Sequence, residues 1–189
     1  MALSPTARVR AAFAAAPRHR FLPADLVGHA QLDTPLPIGH GATNSQPSTV
    51  ATMLELLDPQ PGDLVLDVGA GSGWTTALLA HLVGDDGHVI GVELVPELVQ
   101  TALPRLTRHS NATMQVASPE VLGLPERAPF DRILVSAMPD ELPQSLVDQL
   151  ADGGRMVIPV DGLMLVVDRC GGEVEVHRAP GRYRFVPLL

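Results

Sequence analysis

Hydrophobic positions in this chain recur first at helical spacing and then, beyond Pro61-Gly62, as short apolar runs separated by helical stretches. Ser4-Pro5 has the form of an N-cap followed by proline at the first helical position, opening a helix to about Ala15. Pro17 and Pro23 bracket a short connection, and Pro47 opens a helix in which Val50, Met53, Leu54 and Leu57 share one face. The later stretch predicts strand Leu64–Val68, helix Trp74–Val83 and strand His88–Val92. A helix follows with Val95, Leu98, Val99, Ala102, Leu103 and Leu106 on one face, kinked or shortened at Pro104. Strands Thr113–Ala117 and Arg132–Ser136, a helix near Gln144–Leu150 and strand Arg155–Val160 complete the alternation. Such alternation implies right-handed crossovers and a parallel sheet covered on both faces, with ligands beyond the carboxyl ends of its strands. Leu163–Asp168, Glu173–Arg178 and Arg182–Val186 are β-rich with no helix between them, so the sheet is expected to end in antiparallel strands. The expectation is an α/β, doubly wound, mostly parallel sheet in one domain over 1–189, with a helical and loop segment over 1–60 preceding the sheet over 61–189.

Asp33 to Pro47 interrupts this pattern with closely spaced prolines and glycines, which predicts a long irregular loop of the kind that carries function. A hydrophobic content of 46% and a charged content of 18% over 189 residues describe a chain that buries a full core and exclude a disordered one. The formal net charge of −8 argues against a nucleic-acid partner, and Arg8-Val9-Arg10 and Arg18-His19-Arg20 read as a solvated helix face. Cys170 alone excludes an intrachain disulfide, and the seven scattered histidines have no paired ligand spacing, so no metal is expected. No apolar run approaches the roughly 18 to 20 residues of a membrane span. Arg8, Arg10 and Pro17 break the alanine-rich N-terminus before a signal-like core forms. A cytoplasmic monomer with neither nucleic-acid nor membrane partner is the expectation.

The chemistry concentrates in Leu64-Val65-Leu66-Asp67-Val68-Gly69-Ala70-Gly71-Ser72-Gly73, an apolar strand running through an acid into a glycine-spaced turn ahead of a helix. Glycines let backbone approach a ligand, and the helix start offers free N–H groups. Glu93, 20 residues past Gly73 at the end of the next apolar run, stands where a ribose-binding acid belongs. A dinucleotide fingerprint would need glycine at position 74, and the Trp74 indole there blocks a pyrophosphate. Gly69-x-Gly71-x-Gly73 with Asp67 two residues ahead resembles motif I of S-adenosylmethionine-dependent methyltransferases, whose loop faces an amino-acid tail. The resemblance implies a Rossmann-like methyltransferase sheet. It also implies that Gly69, Ala70, Gly71, Ser72 and Gly73 hold the methionine tail of S-adenosyl-L-methionine, with S-adenosyl-L-homocysteine as the product. Glu93, with Leu94 beside it, would take the ribose hydroxyls, and Asp67 belongs to this group as the residue that organises the turn. Trp74 is either a core anchor or a wall of the same site.

Further motifs narrow the family. Asp33-Thr34-Pro35-Leu36-Pro37-Ile38-Gly39 followed by Thr43-Asn44-Ser45-Gln46-Pro47 resembles the segment ahead of motif I in protein-L-isoaspartate O-methyltransferases. Val9-Arg10 through Phe21-Leu22-Pro23, Gly123-Leu124-Pro125-Glu126 with Ala128-Pro129-Phe130-Asp131, Gly153-Gly154-Arg155, and Arg184-Phe185-Val186-Pro187-Leu188 match that family in order. The family transfers a methyl group to the free carboxylate of isoaspartyl residues in damaged proteins. That acceptor is already ionised at neutral pH and needs no general base. By this resemblance Ser45 is the active-site serine that orients the acceptor, with helix capping ahead of Pro47 as its other reading. Thr43 and Asn44 would line the same pocket, and Arg184 to Leu188 would either present backbone to the peptide or form plain core strand. Three positions depart from the family. Ser118-Pro119-Glu120 replaces its Gly-Asp-Gly, which leaves Glu120 as the acid on the adenine side; Ala42 and Asn44 replace its usual glutamine and isoleucine; and the sequence stops at Leu189 where the family continues. The departures leave two alternatives beside isoaspartyl methylation: a specialised homologue acting on an aspartate of a dedicated peptide, and a non-catalytic binding module.

Overall fold

Helix α1 (Pro5–Ala15) opens a computed structural model that describes residues 5–189, so the Ser4 cap lies outside the described residues. The expected irregular loop contains a small antiparallel hairpin, β1 (Leu36–Gly39) and β2 (Ala42–Asn44), paired from Leu36↔Asn44 to Gly39↔Ala42. Helix α2 (Pro47–Leu57) starts at its proline and buries Val50, Met53, Leu54 and Leu57. The alternating part follows as β3 (Leu64–Val68), α3 (Trp74–Val83), β4 (His88–Glu93), α4 (Pro96–Ala102), β5 (Ala112–Val116) and β6 (Phe130–Val135). It closes with α5 (Gln144–Val147), β7 (Leu150–Val160), β8 (Leu163–Cys170) and β9 (Glu173–Ala179).

Seven strands form one sheet in the order β5-β4-β3-β6-β7-β8-β9. Pairings from β5 through β7 are parallel, and β8 and β9 join antiparallel. Side chains alternate across it as the strand period requires. Val65, Leu134 and Val157 face a core shared with α1, α2 and α3, whereas Leu66, Ile133, Val135 and Met156 face a second core with Leu124, Leu146 and Leu150. Each fully buried Leu, Ile or Phe contributes roughly 1.5–3 kcal/mol of apolar burial. After β5 the chain returns past β3 to lay down β6 on its other flank, and this reversal opens a crevice at the carboxyl end of β3.

The helix after β4 shortens at Pro104 as expected, and two other elements differ. The helix after β4 ends at Ala102, and Leu103–Leu106 continues as a 3-10 turn around Pro104, which exposes Leu103 while Leu106 stays buried. Helix α5 is one turn long, because Leu150 already pairs with Phe130 as the start of β7. Arg182–Val186 is no strand: Tyr183 N–H bonds to Gly162 and Val186 accepts from Met138 N–H, so no single neighbour offers a ladder. A single bridge, Met138↔Pro187, ties this segment to the chain beyond β6.

Candidate active site

At the carboxyl ends of β3, β4 and β6 lies a cavity of about 570 Å³, within the size range of ligand pockets. One wall is the turn after β3. Gly69 and Ala70 N–H both bond to the Val92 carbonyl, at 2.9 and 3.1 Å, which fixes the turn to β4. Gly71 has φ +54° and its N–H donates to Glu93 Oε2 at 2.9 Å, while Val95 N–H donates to Oε1 at 3.1 Å. A carboxylate has about four acceptor sites, so Glu93, on the cavity wall, retains acceptor capacity beyond these two bonds.

Gly73 lies outside the cavity wall that its motif predicts for it, and Asp67, expected to organise the turn, lies outside that wall too. Asp67 is wholly buried, and its Oδ2 accepts from the Thr75 and Thr76 hydroxyls, each at 2.7 Å, tying the end of β3 to the start of α3. Its Oδ1 has no partner among the described residues. Burial pushes the carboxyl up to about 6; the two threonine bonds oppose the rise and the nearby Glu93 charge adds to it. Gly73, at φ +82°, is where α4 and β5 press against the turn: a Cβ there would meet Ala102 and Met114 at 3.2 Å.

The opposite wall is the β1–β2 hairpin with Ser45. His40 through Ser45 line the cavity, so Thr43, Asn44 and Ser45 face the Gly69–Ser72 turn across it. Ser45 is not the cap of α2. Gln46 holds that position, and Asp33 accepts Ser48 N–H at 2.9 Å and Gln46 Nε2 at 3.1 Å. Those bonds hold the Asp33 carboxyl below its ordinary range. Trp74 fills both of its readings: 2% exposed, it donates to Ala16 O at 2.9 Å, meets the Phe13 ring edge-on, and also lines the cavity.

Arg18, read as part of a solvated face, is 6% exposed beneath this hairpin. It donates to the carbonyls of Leu32, Thr34, Asn44 and Ser45 and to Asn44 Oδ1, over 2.7–3.0 Å, with its guanidinium 5.4 Å from the Trp74 ring centroid. Arg18 opens a short 3-10 turn, Arg18–Phe21, directly after Pro17, and Pro17 and Pro23 are the one sequence sign that no regular helix face runs through it. The remaining rim comes from the Ala117–Gly123 segment, including Glu120 and Pro119, and from Ala137, Pro139 and Val186–Leu189.

The family model of protein-L-isoaspartate(D-aspartate) O-methyltransferase matches residues 2–189. The chain belongs to that family. A protein-L-isoaspartate O-methyltransferase of Aeropyrum pernix is 51% identical over 188 residues, covering 96% of this chain and 72% of the relative. One from Methanopyrus kandleri is 47% identical over 189 residues, covering 96% and 83%. Among solved structures, one from Plasmodium falciparum carrying the protein-L-isoaspartate O-methyltransferase name, in complex with S-adenosyl-L-homocysteine, superposes with a TM-score of 0.81 at 28% identity, covering 96% of this chain and 90% of that one. The cavity fits the cofactor of an isoaspartate methyltransferase. It combines a glycine-rich turn, a wall carboxylate and the apolar side chains of Leu94, Ala117 and Leu122. Among the described residues no helix is long and apolar enough to cross a membrane.

Proposed function

We propose that this chain is a protein carboxyl methyltransferase that transfers methyl from S-adenosyl-L-methionine to the free carboxylate of L-isoaspartyl or D-aspartyl residues in damaged proteins. The observation that carries the reading is one cavity with Ser45 and Thr43 on one wall and the Gly69–Ser72 turn with Glu93 on the other. Gly69, Ala70, Gly71 and Ser72 hold the amino-acid tail, Glu93 and Leu94 the ribose, and Glu120 with Pro119 the adenine side. Asp67 and Gly73 shape that wall from behind. When bound, S-adenosyl-L-methionine supplies a sulfonium methyl, the electrophile of an in-line displacement. The acceptor carboxylate is ionised at neutral pH, so no residue has to remove a proton. Ser45 orients that carboxylate, with Thr43 and Asn44 beside it, and the apolar rim excludes water. Positioning and desolvation then supply most of the acceleration, because the reacting charges cancel along the path.

With a net charge of −8, the protein is proposed to act without nucleic acid, as a cytoplasmic single-domain monomer on isoaspartyl peptides and proteins. Methyl-ester formation on an isoaspartyl peptide, compared with its aspartyl twin, is the test. Transfer to the isoaspartyl peptide alone is expected. Transfer to neither, by folded protein that binds S-adenosyl-L-homocysteine, sinks this substrate assignment.

A further inference from the structure

From behind the hairpin to the cavity wall, three polar side chains form a chain with a defined direction. Arg18, Asn44 and Ser72 are 6%, 4% and 3% exposed. A guanidinium has donors only, so the Asn44 atom 2.7 Å from Arg18 Nε is its oxygen, whichever way the amide is drawn. The other terminal atom is then the amide nitrogen, and it donates to Ser72 Oγ at 3.1 Å. With Oγ engaged as an acceptor, the Ser72 O–H needs an acceptor of its own, and among the described residues it has none. Ser72 lines the cavity within the Gly69–Ser72 turn.

We propose that Asn44 is a positioning residue that sets the Ser72 hydroxyl as a hydrogen-bond donor into the cavity, aimed at the carboxylate of the cofactor's amino-acid tail. This rests on the reading of the cavity as an S-adenosylmethionine site. Each donation in the series Arg18 to Asn44 to Ser72 polarises the next, so the arginine's charge is felt at the wall without its side chain entering the cavity. The same bond joins the acceptor-side hairpin to the cofactor-side turn. Among the described residues nothing else imposes this polarity on Ser72: an aliphatic side chain at position 44 would leave the hydroxyl free to rotate.

The experiment is calorimetric titration of the whole protein with S-adenosyl-L-homocysteine and, separately, with 5′-methylthioadenosine, which keeps the nucleoside and sulfur but lacks the amino-acid carboxylate. Asn44→Asp keeps the oxygen that Arg18 requires but has no N–H for Ser72, whose hydroxyl then turns toward the new carboxylate. Asn44→Asp and Ser72→Ala are each expected to weaken S-adenosyl-L-homocysteine by about tenfold while leaving 5′-methylthioadenosine within about twofold. The double variant is expected to match Ser72→Ala, because the asparagine acts through the serine. Asn44→Asp binding S-adenosyl-L-homocysteine like the parent overturns the proposal and leaves the site reading intact. Multiplicative losses in the double variant also overturn it, since they report direct charge repulsion. A parent protein that binds neither ligand overturns both. If Asn44→Asp does not fold, Ser72→Ala decides alone: a loss confined to the carboxylate-bearing ligand supports the proposal, and an equal loss for both ligands overturns it.

Discussion

The two walls of the cavity are built on different principles. The Gly69–Gly73 turn is an extension of the sheet, held by backbone bonds to Val92, by Glu93 and by the Asp67 bonds to Thr75 and Thr76, with hydrophobic core on both sides. The facing hairpin has strands of four and three residues that pair with each other and with no strand of the main sheet. Leu36 and Ile38 pack it against Leu22, Ala30 and Leu98, Asn44 bonds to Ser72, and one buried guanidinium gathers four carbonyls and one side-chain oxygen at its ends. The turn wall spreads its bonds over several residues of the core, whereas the hairpin wall concentrates most of its polar bonds on Arg18.

Removing that side chain is the strongest way to separate the walls. Arg18→Met leaves buried carbonyls without donors and is expected to lower stability by about 3–5 kcal/mol, read by urea unfolding. Limited proteolysis of the variant should cut first within residues 33–45. A loss below about 1 kcal/mol would show that the hairpin stands by its own packing.

In the turn wall, burial raises the Asp67 carboxyl to about 6 from an ordinary 3.8. Below pH 3.8 the group is protonated whether the chain is folded or not. Between 3.8 and about 6 the unfolded chain releases its proton while the folded one keeps it, so stability falls as pH rises through that window and then levels. The shift corresponds to about 3 kcal/mol at most. Asp67→Asn is expected to lack that fall, so its stability relative to the parent rises from pH 4 to pH 7, whatever constant cost the new amide carries. A parent-to-variant difference independent of pH, in unfolding series at both values, would count against an ionising Asp67.

A paired substitution gives the smallest and sharpest separation. Glu93→Ala is expected to weaken S-adenosyl-L-homocysteine by about 1.5–3 kcal/mol, since a charge-assisted acceptor is lost. Ser45→Ala is expected to leave that affinity unchanged and lower kcat on an isoaspartyl peptide by about 1 kcal/mol in barrier. Because Gln46 and Asp33 occupy the start of α2, the serine variant should keep its unfolding free energy within about 0.5 kcal/mol. Crossed outcomes, with turnover but not affinity lost in the glutamate variant, would exchange the two assignments.

The same contrast decides what was legible in the sequence. The cofactor wall announces itself through spacing: β3 ends where its apolar run meets the glycines, and Glu93 closes β4. Both follow from the continuous apolar runs of strands buried on both faces and from a fixed turn geometry. The hairpin was read as irregular because Pro37 falls inside a four-residue strand, where proline normally argues against pairing. Arg18 reads as solvated because it recurs with His19 and Arg20 in a basic run, and its partners lie 14 to 27 residues away in sequence. Burial of a charge by carbonyl oxygens leaves no periodic trace. Arg182–Val186 has the residue types of a strand, but strand propensity is silent on whether a partner edge exists.

The cavity draws its wall from His40 through Gly71, Glu93 and Pro119 to Val186–Leu188, and therefore has no half-built form. During synthesis the Gly69–Gly73 turn and Glu93 leave the ribosome well before the segment that pairs with Met138. A ligand that needs all of these surfaces cannot template the early sheet. It acts only on the finished chain, raising stability in proportion to the logarithm of its concentration. Occupancy of the complete cavity by its ligands therefore adds to the stability of the finished fold.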